Sequence, residues 1–162
     1  MPAASARRGT LLGIDHGGKI IGVSICDASW IITRPIALIE RTTREADFAK
    51  IAALIAAHQA VGVVVGIPIM PDGTESAQTK RVRRWASRLA AALAADQYVP
   101  VYVWDEAYSS FEAGEIAAET STITGEKPPT RDDAQAAALI LARFIAAHPP
   151  NSALPMPIKG GG

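Results

Sequence analysis

The apolar positions along this chain switch between two periods. Leu11 to Asp15 is a short apolar run that ends in an acid. Gly17 and Gly18 then allow a tight turn, and Ile20 to Cys26 resumes as a β-rich run, so the two predict a hairpin. Trp30 to Thr33 predicts a third strand, stopped before Pro35. Phe48, Ile51, Leu54, Ile55 and His58 recur at helical spacing. Val61 to Ile67 is a continuous, largely β-branched run of the kind buried on both faces of a sheet. Pro68 to Thr74 reads as a loop. Val82, Trp85, Leu89, Ala92 and Leu93 mark an amphipathic helix, and Val99 to Trp104 another buried strand. Ser109 and Glu112 have the spacing of a capping box for a short helix through Glu119. After a loop from Gly125 to Thr130, Thr130 is placed to cap a last helix. Its apolar stripe is Ala134, Ala137, Ala138, Leu141, Phe144 and Ile145.

The predicted order is β-β-β-α-β-α-β-α-α. Three meander strands followed by two strands reached through helices imply a five-stranded mixed sheet. Right-handed crossovers put the fourth and fifth strands parallel to the first, with helices on both faces. This is an α/β architecture with the ribonuclease H-like order of elements. Residues 10–148 are expected to form one domain, between a flexible N-terminal tail over 1–9 and a disordered, Pro- and Gly-rich C-terminal tail over 149–162.

Composition narrows the picture. A chain of 162 residues with 49% hydrophobic and 20% charged positions suits one soluble globular domain. The formal net charge of +0 gives no global support for nucleic-acid binding, so any such case rests on local clustering. Cys26 is the sole cysteine, which excludes an intramolecular disulfide and a cysteine-built zinc site. No apolar run reaches the ~20 residues that cross a bilayer, so no membrane partner is expected. Residues 1–9 are basic without an apolar core, which reads against a secretory signal. A cytoplasmic protein is expected, with an organelle matrix as the alternative.

Ligands of open α/β sheets bind at the carboxyl ends of the parallel strands. Asp15 closes the first strand and Glu106, beside Asp105, follows the fifth. Asp133 falls in the first turn of the last helix, whose packing near the first strand would bring it to the same edge. Singly, Asp15 reads as a turn former before Gly17, Asp133 as an acid favoured by the helix dipole, and Glu106 as a solvated strand end. Together they form a set of carboxylates that is costly without a cation. Mg²⁺ or Mn²⁺ suits oxygen donors, and two such ions can activate a water and stabilise the leaving oxygen of a phosphodiester.

Four blocks resemble the YqgF family. They are Gly13-Ile14-Asp15-His16-Gly17-Gly18-Lys19-Ile20-Ile21-Gly22-Val23; Val65-Gly66-Ile67-Pro68 with Asp72-Gly73-Thr74-Glu75; Val103-Trp104-Asp105-Glu106-Ala107-Tyr108-Ser109-Ser110; and Asp133-Ala134-Gln135-Ala136-Ala137 with Ile140-Leu141. They stand in the family's order between residues 11 and 145. The resemblance implies a ribonuclease H-like fold related to Holliday-junction resolvases, and a role in maturing the 5′ end of pre-16S ribosomal RNA linked to the ribosomal small subunit. It implies Asp15, Glu106 and Asp133 as catalytic metal ligands. The family's Arg after the Asp-Glu pair is Ala107 here, and Gly18 and Ile20 replace polar residues of the first motif. Three readings therefore stay open: a Mg²⁺/Mn²⁺-dependent endonuclease on pre-rRNA, a resolvase of branched DNA, and a catalytically weakened RNA-binding protein of the same fold. An actin-like nucleotide binder is a poor fit, because such proteins close two domains over the nucleotide. The oligomeric state is left as monomer or homodimer.

Lys80, Arg81, Arg83, Arg84 and Arg88 share one helix, with no acid from Ser76 through Ala95. Lys80, Arg81, Arg84 and Arg88 are candidate phosphate contacts, although basic runs are commonly just solvated helix surface. Lys19 near Asp15 is a further candidate, as are Ser109 and Ser110, which also suit helix capping. His16, His58 and His148 have no metal-ligand spacing. His16 adjoins Asp15, which makes a part in water activation conceivable.

Overall fold

The computed structural model describes residues 8–96, 98–106, 129–150 and 152–161. Five strands form one mixed sheet in the order β3-β2-β1-β4-β5. They are β1 (Leu11–His16), β2 (Ile20–Cys26), β3 (Thr33–Glu40), β4 (Gly62–Ile67) and β5 (Val101–Asp105). β1 pairs antiparallel with β2, and β2 with β3, whereas β4 runs parallel to both β1 and β5. The meander, the two parallel additions and the central place of β1 agree with the sequence expectation. The short helix expected from Ser109 to Glu119 lies outside the described residues.

The pleat sorts the core into two layers. Ile14, Ile21, Val23, Val63, Val65 and Val101 point to one face, where they pack with α1 (Arg44–His58) and α2 (Ala77–Asp96). Val64 and Tyr102 point to the other, against Ile140, Leu141 and Phe144 of α3 (Pro129–Ala147). Local chemistry starts the first two helices. Thr43 caps α1 through its side chain, which accepts from the Ala46 N–H at 3.1 Å. At α2, Ser76 and Thr79 exchange backbone–side-chain bonds, and the Thr79 hydroxyl also donates to the Pro68 carbonyl at the end of β4.

β3 departs from the expectation. The strand is Thr33–Glu40, not Trp30 to Thr33, and Pro35 lies inside it, opposite Ser24 where the register shifts. An edge strand with a bulge tolerates a residue that has no N–H to give. Residues 27–32 form a turn instead. The Asp27 carboxylate accepts from the N–H groups of Ser29, Ile31 and Ile32, and Trp30 takes a left-handed φ of 60°. Trp30 tucks its indole under the sheet and donates to the Gly9 carbonyl at 2.6 Å, while Ile31 and Ile32 face solvent. The β-branched pair suggested a strand, but the Asp27 cap competes successfully for those backbone N–H groups.

The described residues near both ends make specific contacts with the domain. Arg8 and Gly9 both donate to the Ala28 carbonyl, and the Arg8 guanidinium lies over Trp30. Where a disordered tail was expected, the Ile158 N–H donates to Val101 at 2.7 Å, covering the edge of β5. Ser87 of α2 donates to the Lys159 carbonyl and accepts from the Gly161 N–H, while Ile158 packs on the apolar layer of α1 and α2. The prolines here break helix and sheet propensity without preventing docking.

Candidate active site

The site begins with a register. Asp15 stands on the central strand, directly opposite Gly22 on β2 and Gly66 on β4. Paired residues project from the same face of a sheet, so Asp15 stands between two positions without side chains. Other groups enter those spaces. A Cβ on Gly22 would collide with the Asp133 carbonyl of α3, and one on Gly66 would lie 2.6 Å from Glu106 Oε2. Glycine at these two places thus permits the close approach of α3 and of the strand-end glutamate. Ser24 fixes the helix further along, donating to the Ala137 carbonyl at 2.7 Å. The helix begins at Pro129, so Asp133 sits at its second turn rather than its first, and Thr130 is inside it.

Asp15 is electrostatically coupled to each of the other two acids. Burial, and then the Asp133 carboxylate, raise Asp15 to about 6. Burial, and then the Asp15 carboxylate, raise Glu106 to about 8, while Arg143 of α3 opposes the shift. Each is a carboxyl group held partly protonated by lost solvent and a like charge. The coupling runs pairwise through Asp15. Among the described residues, no three His, Cys, Asp or Glu side chains are gathered tightly enough to hold a metal ion as they stand.

His16 does not join them. The pleat turns its ring to the opposite face, where it packs on Trp85 of α2 with centroids 4.5 Å apart. Burial, and then Arg41, lower its pKa to about 4, so the ring is neutral near pH 7. It lines a groove of about 460 Å³ together with Arg41, Arg44, Arg81, Arg84 and Arg88. Three of the four basic helix candidates therefore share a groove. Lys80 is exposed outside it, and Arg83 is engaged by Glu75 at 3.3 Å. Lys19 is exposed in the β1–β2 turn. Ser109, Ser110 and Ala107 lie outside the described residues.

Comparison with known proteins places this geometry. The family described as RuvX, Holliday junction resolvase, matches residues 9–147. This chain belongs to the RuvX family. The four YqgF-like blocks fall within that match. A relative from Sphingopyxis alaskensis, named "Putative pre-16S rRNA nuclease", is 39% identical over 143 residues, covering 88% of this chain and 90% of its own length. A Novosphingobium aromaticivorans relative of the same name is 37% identical over 145 residues, 90% of each chain. Among solved structures, Thermus thermophilus RuvC in complex with a Holliday junction substrate is similar at a TM-score of 0.53 and 18% identity. The match covers 82% of this chain and 91% of that one. That likeness establishes the ribonuclease H-like fold of this RuvX-family member.

Several residues that shape the family member's site were not singled out from sequence. Arg41 and Arg44 join the groove from the β3–α1 connection, remote in sequence from the α2 cluster. Gly22 and Gly66 carried a readable signal, since glycine inside a strand often marks close approach of another backbone. Arg143 carried none, being one arginine among the small residues of a helix.

Proposed function

We propose that this protein is a metal-dependent endonuclease that hydrolyses phosphodiester bonds in structured nucleic acid, with 5′-end processing of pre-16S ribosomal RNA as its task. The reading rests on one observation above the others. Asp15 couples electrostatically to both Asp133 and Glu106, at the carboxyl end of the central strand, in a RuvX-family chain. The curated relatives named as pre-16S rRNA nucleases support the choice of RNA.

Asp15, Glu106 and Asp133 are the proposed catalytic residues and metal ligands. Their donor chemistry fits a hard divalent cation. All three offer only oxygen, and two of them carry pKa values raised by burial and mutual repulsion, a cost that a cation removes. Mg²⁺ or Mn²⁺, as two ions, would supply an activated water and charge compensation at the phosphate. The chain supplies the rest. β1 fixes Asp15 rigidly between two glycines, the end of β5 delivers Glu106, and α3 delivers Asp133. Without a cation the raised pKa of about 8 keeps Glu106 mostly protonated near pH 7, and a bound cation would favour its ionised form. Lys19, Ser109 and Ser110 are proposed phosphate contacts, as are Lys80, Arg81, Arg84 and Arg88. The small ribosomal subunit is the proposed partner and the cytoplasm the proposed location.

The test is cleavage of labelled precursor 16S RNA and of a four-way DNA junction, in Mg²⁺, Mn²⁺ or chelator, with Glu106→Gln as control. Metal-dependent cutting of the RNA, lost in the variant, is expected. Cutting of the junction alone would shift the task to branched DNA. Salt-sensitive RNA binding with no cutting under any metal would leave a binding protein in place of the enzyme.

A further inference from the structure

The arginine groove and the acids lie on opposite faces of the sheet. Asp15 points towards α3, and the next residue, His16, points towards α2. Among the described residues the two sites adjoin at the rim, where the β1–β2 turn at Gly17 and Gly18 borders the groove. Arg41 braces that turn, donating to the carbonyls of Gly17 and Gly18 at 3.0 Å each. Its guanidinium is therefore engaged by scaffold. Arg44, Arg81, Arg84 and Arg88 have no carboxylate within ion-pair distance among the described residues. Asp47 also lines the groove, but its carboxylate turns to the N–H and hydroxyl of Thr42. Glu45 lies beside Arg44 and Arg88 in a neighbouring depression without pairing with them. Four like charges converge here in a chain whose total balance is +0.

From this arrangement we infer that the groove of Arg44, Arg81, Arg84 and Arg88 binds a second segment of nucleic-acid backbone, distinct from the segment cut at the acids. The inference rests on the proposed nucleic-acid substrate but not on its cleavage. Arg81 and Arg88 are seven positions apart on α2, so at ~1.5 Å rise per residue they span about 10 Å along its axis. That extent exceeds one phosphate group and suits successive phosphates of a polymer. Guanidinium groups bind phosphate in bidentate fashion, and each neutralised phosphate releases counterions. A nucleic acid that occupies both sites must bend or branch around the Gly17–Gly18 rim. The preferred substrate is then a folded or branched one, and a short linear strand reaches only one face.

The test is equilibrium binding in chelator, so that cutting does not enter. Arg84→Gln/Arg88→Gln is compared with wild type and with Lys50→Gln/Lys159→Gln, a charge-matched control at exposed sites. The probes are a long structured precursor RNA and a short single-stranded RNA. For the long RNA, the arginine variant should bind about tenfold more weakly at ~0.1 M salt. Its slope of log affinity against log salt should flatten by about 1.5. The control variant and the short strand should show little change. Unchanged affinity and slope for the long RNA would overturn the inference. An equal loss on the short strand would also overturn it, by putting these arginines on the same path as the acids. So would saturable micromolar binding of inorganic tripolyphosphate that depends on Arg84 and Arg88 and leaves RNA affinity untouched, which would make the groove a small-polyphosphate site. A protein that binds as expected yet cuts nothing would refute the nuclease reading and leave the groove standing.

Discussion

Glu106 and Asp15 carry a cost that the sequence alone does not display. In the folded protein Glu106 titrates near 8 instead of 4.5, and Asp15 near 6 instead of 3.8, so the folded state holds protons that the unfolded chain releases. Stability without a cation must then fall as pH rises through those windows. His16 acts in the opposite sense. Its pKa drops from 6.5 to about 4, so its contribution is complete above 6.5 and fades as pH falls. Between pH 6.5 and 8 the Glu106 effect stands almost alone. There the melting temperature in chelator should decline, by an equivalent of about 2 kcal/mol at most. Glu106→Gln should remove most of the decline, and millimolar Mg²⁺ should do the same for the wild type. A flat or rising melting temperature across that range, read by calorimetry, would show that these acids do not oppose one another as described. Asp133 was expected one turn nearer the helix start than it lies, whereas the places of Asp15 and Glu106 at strand ends were legible in sequence. Their mutual shifts were not, since burial and distance belong to the assembled fold.

At the scale of elements, the approach of α3 to the sheet decides whether Asp133 reaches Asp15. That approach depends on Gly22, where a Cβ would meet the Asp133 carbonyl. Gly22→Ala should lower stability by about 3 kcal/mol, measured as the midpoint of urea unfolding, because neither backbone can yield without unpacking the helix. Gly18→Ala provides the contrast, since nothing lies within 4 Å of its added Cβ, and it should be close to neutral. Equal effects of the two would mean that α3 does not pack against β2 in this way. The three described helices and four strands were readable from period, but the helix caps were not, since Thr130 lies inside α3 and Thr43 caps α1. β3 was not. Its inner positions are only partly buried at a sheet edge, so they leave no clean alternation. The apolar Trp30-Ile31-Ile32 run that drew the eye serves a turn organised by Asp27. The docking of residues 152–161 was hidden for a similar reason. Ile158 supplies its one backbone pairing to β5, and apolar residues interrupted by Pro155 and Pro157 and followed by glycines show no helix or strand period.

The whole molecule separates its charges by face. A net charge of +0 concealed an acidic site beneath α3 and an arginine groove between α1 and α2, joined at the rim of the central strand. Composition averages over faces and could not reveal this. The helical spacing of Arg81, Arg84 and Arg88 gave three of the groove's five arginines, but Arg41 and Arg44 enter from a connection that only tertiary structure brings near. The order of elements, by contrast, was enough to place Asp15 at the centre of the sheet, because right-handed crossovers leave few alternatives for a β-β-β-α-β-α-β chain. Asp15, as the acid shared by both couplings, is proposed to anchor a metal-dependent hydrolysis of nucleic acid. The most direct measurement is the rate at which Asp15→Asn cuts labelled precursor RNA in Mg²⁺, beside wild type at equal RNA occupancy. A fall of at least about a thousandfold, with RNA binding retained, is expected for loss of the shared ligand. A variant that cuts at the wild-type rate would contradict the account, and the acids at this sheet edge would then be structural.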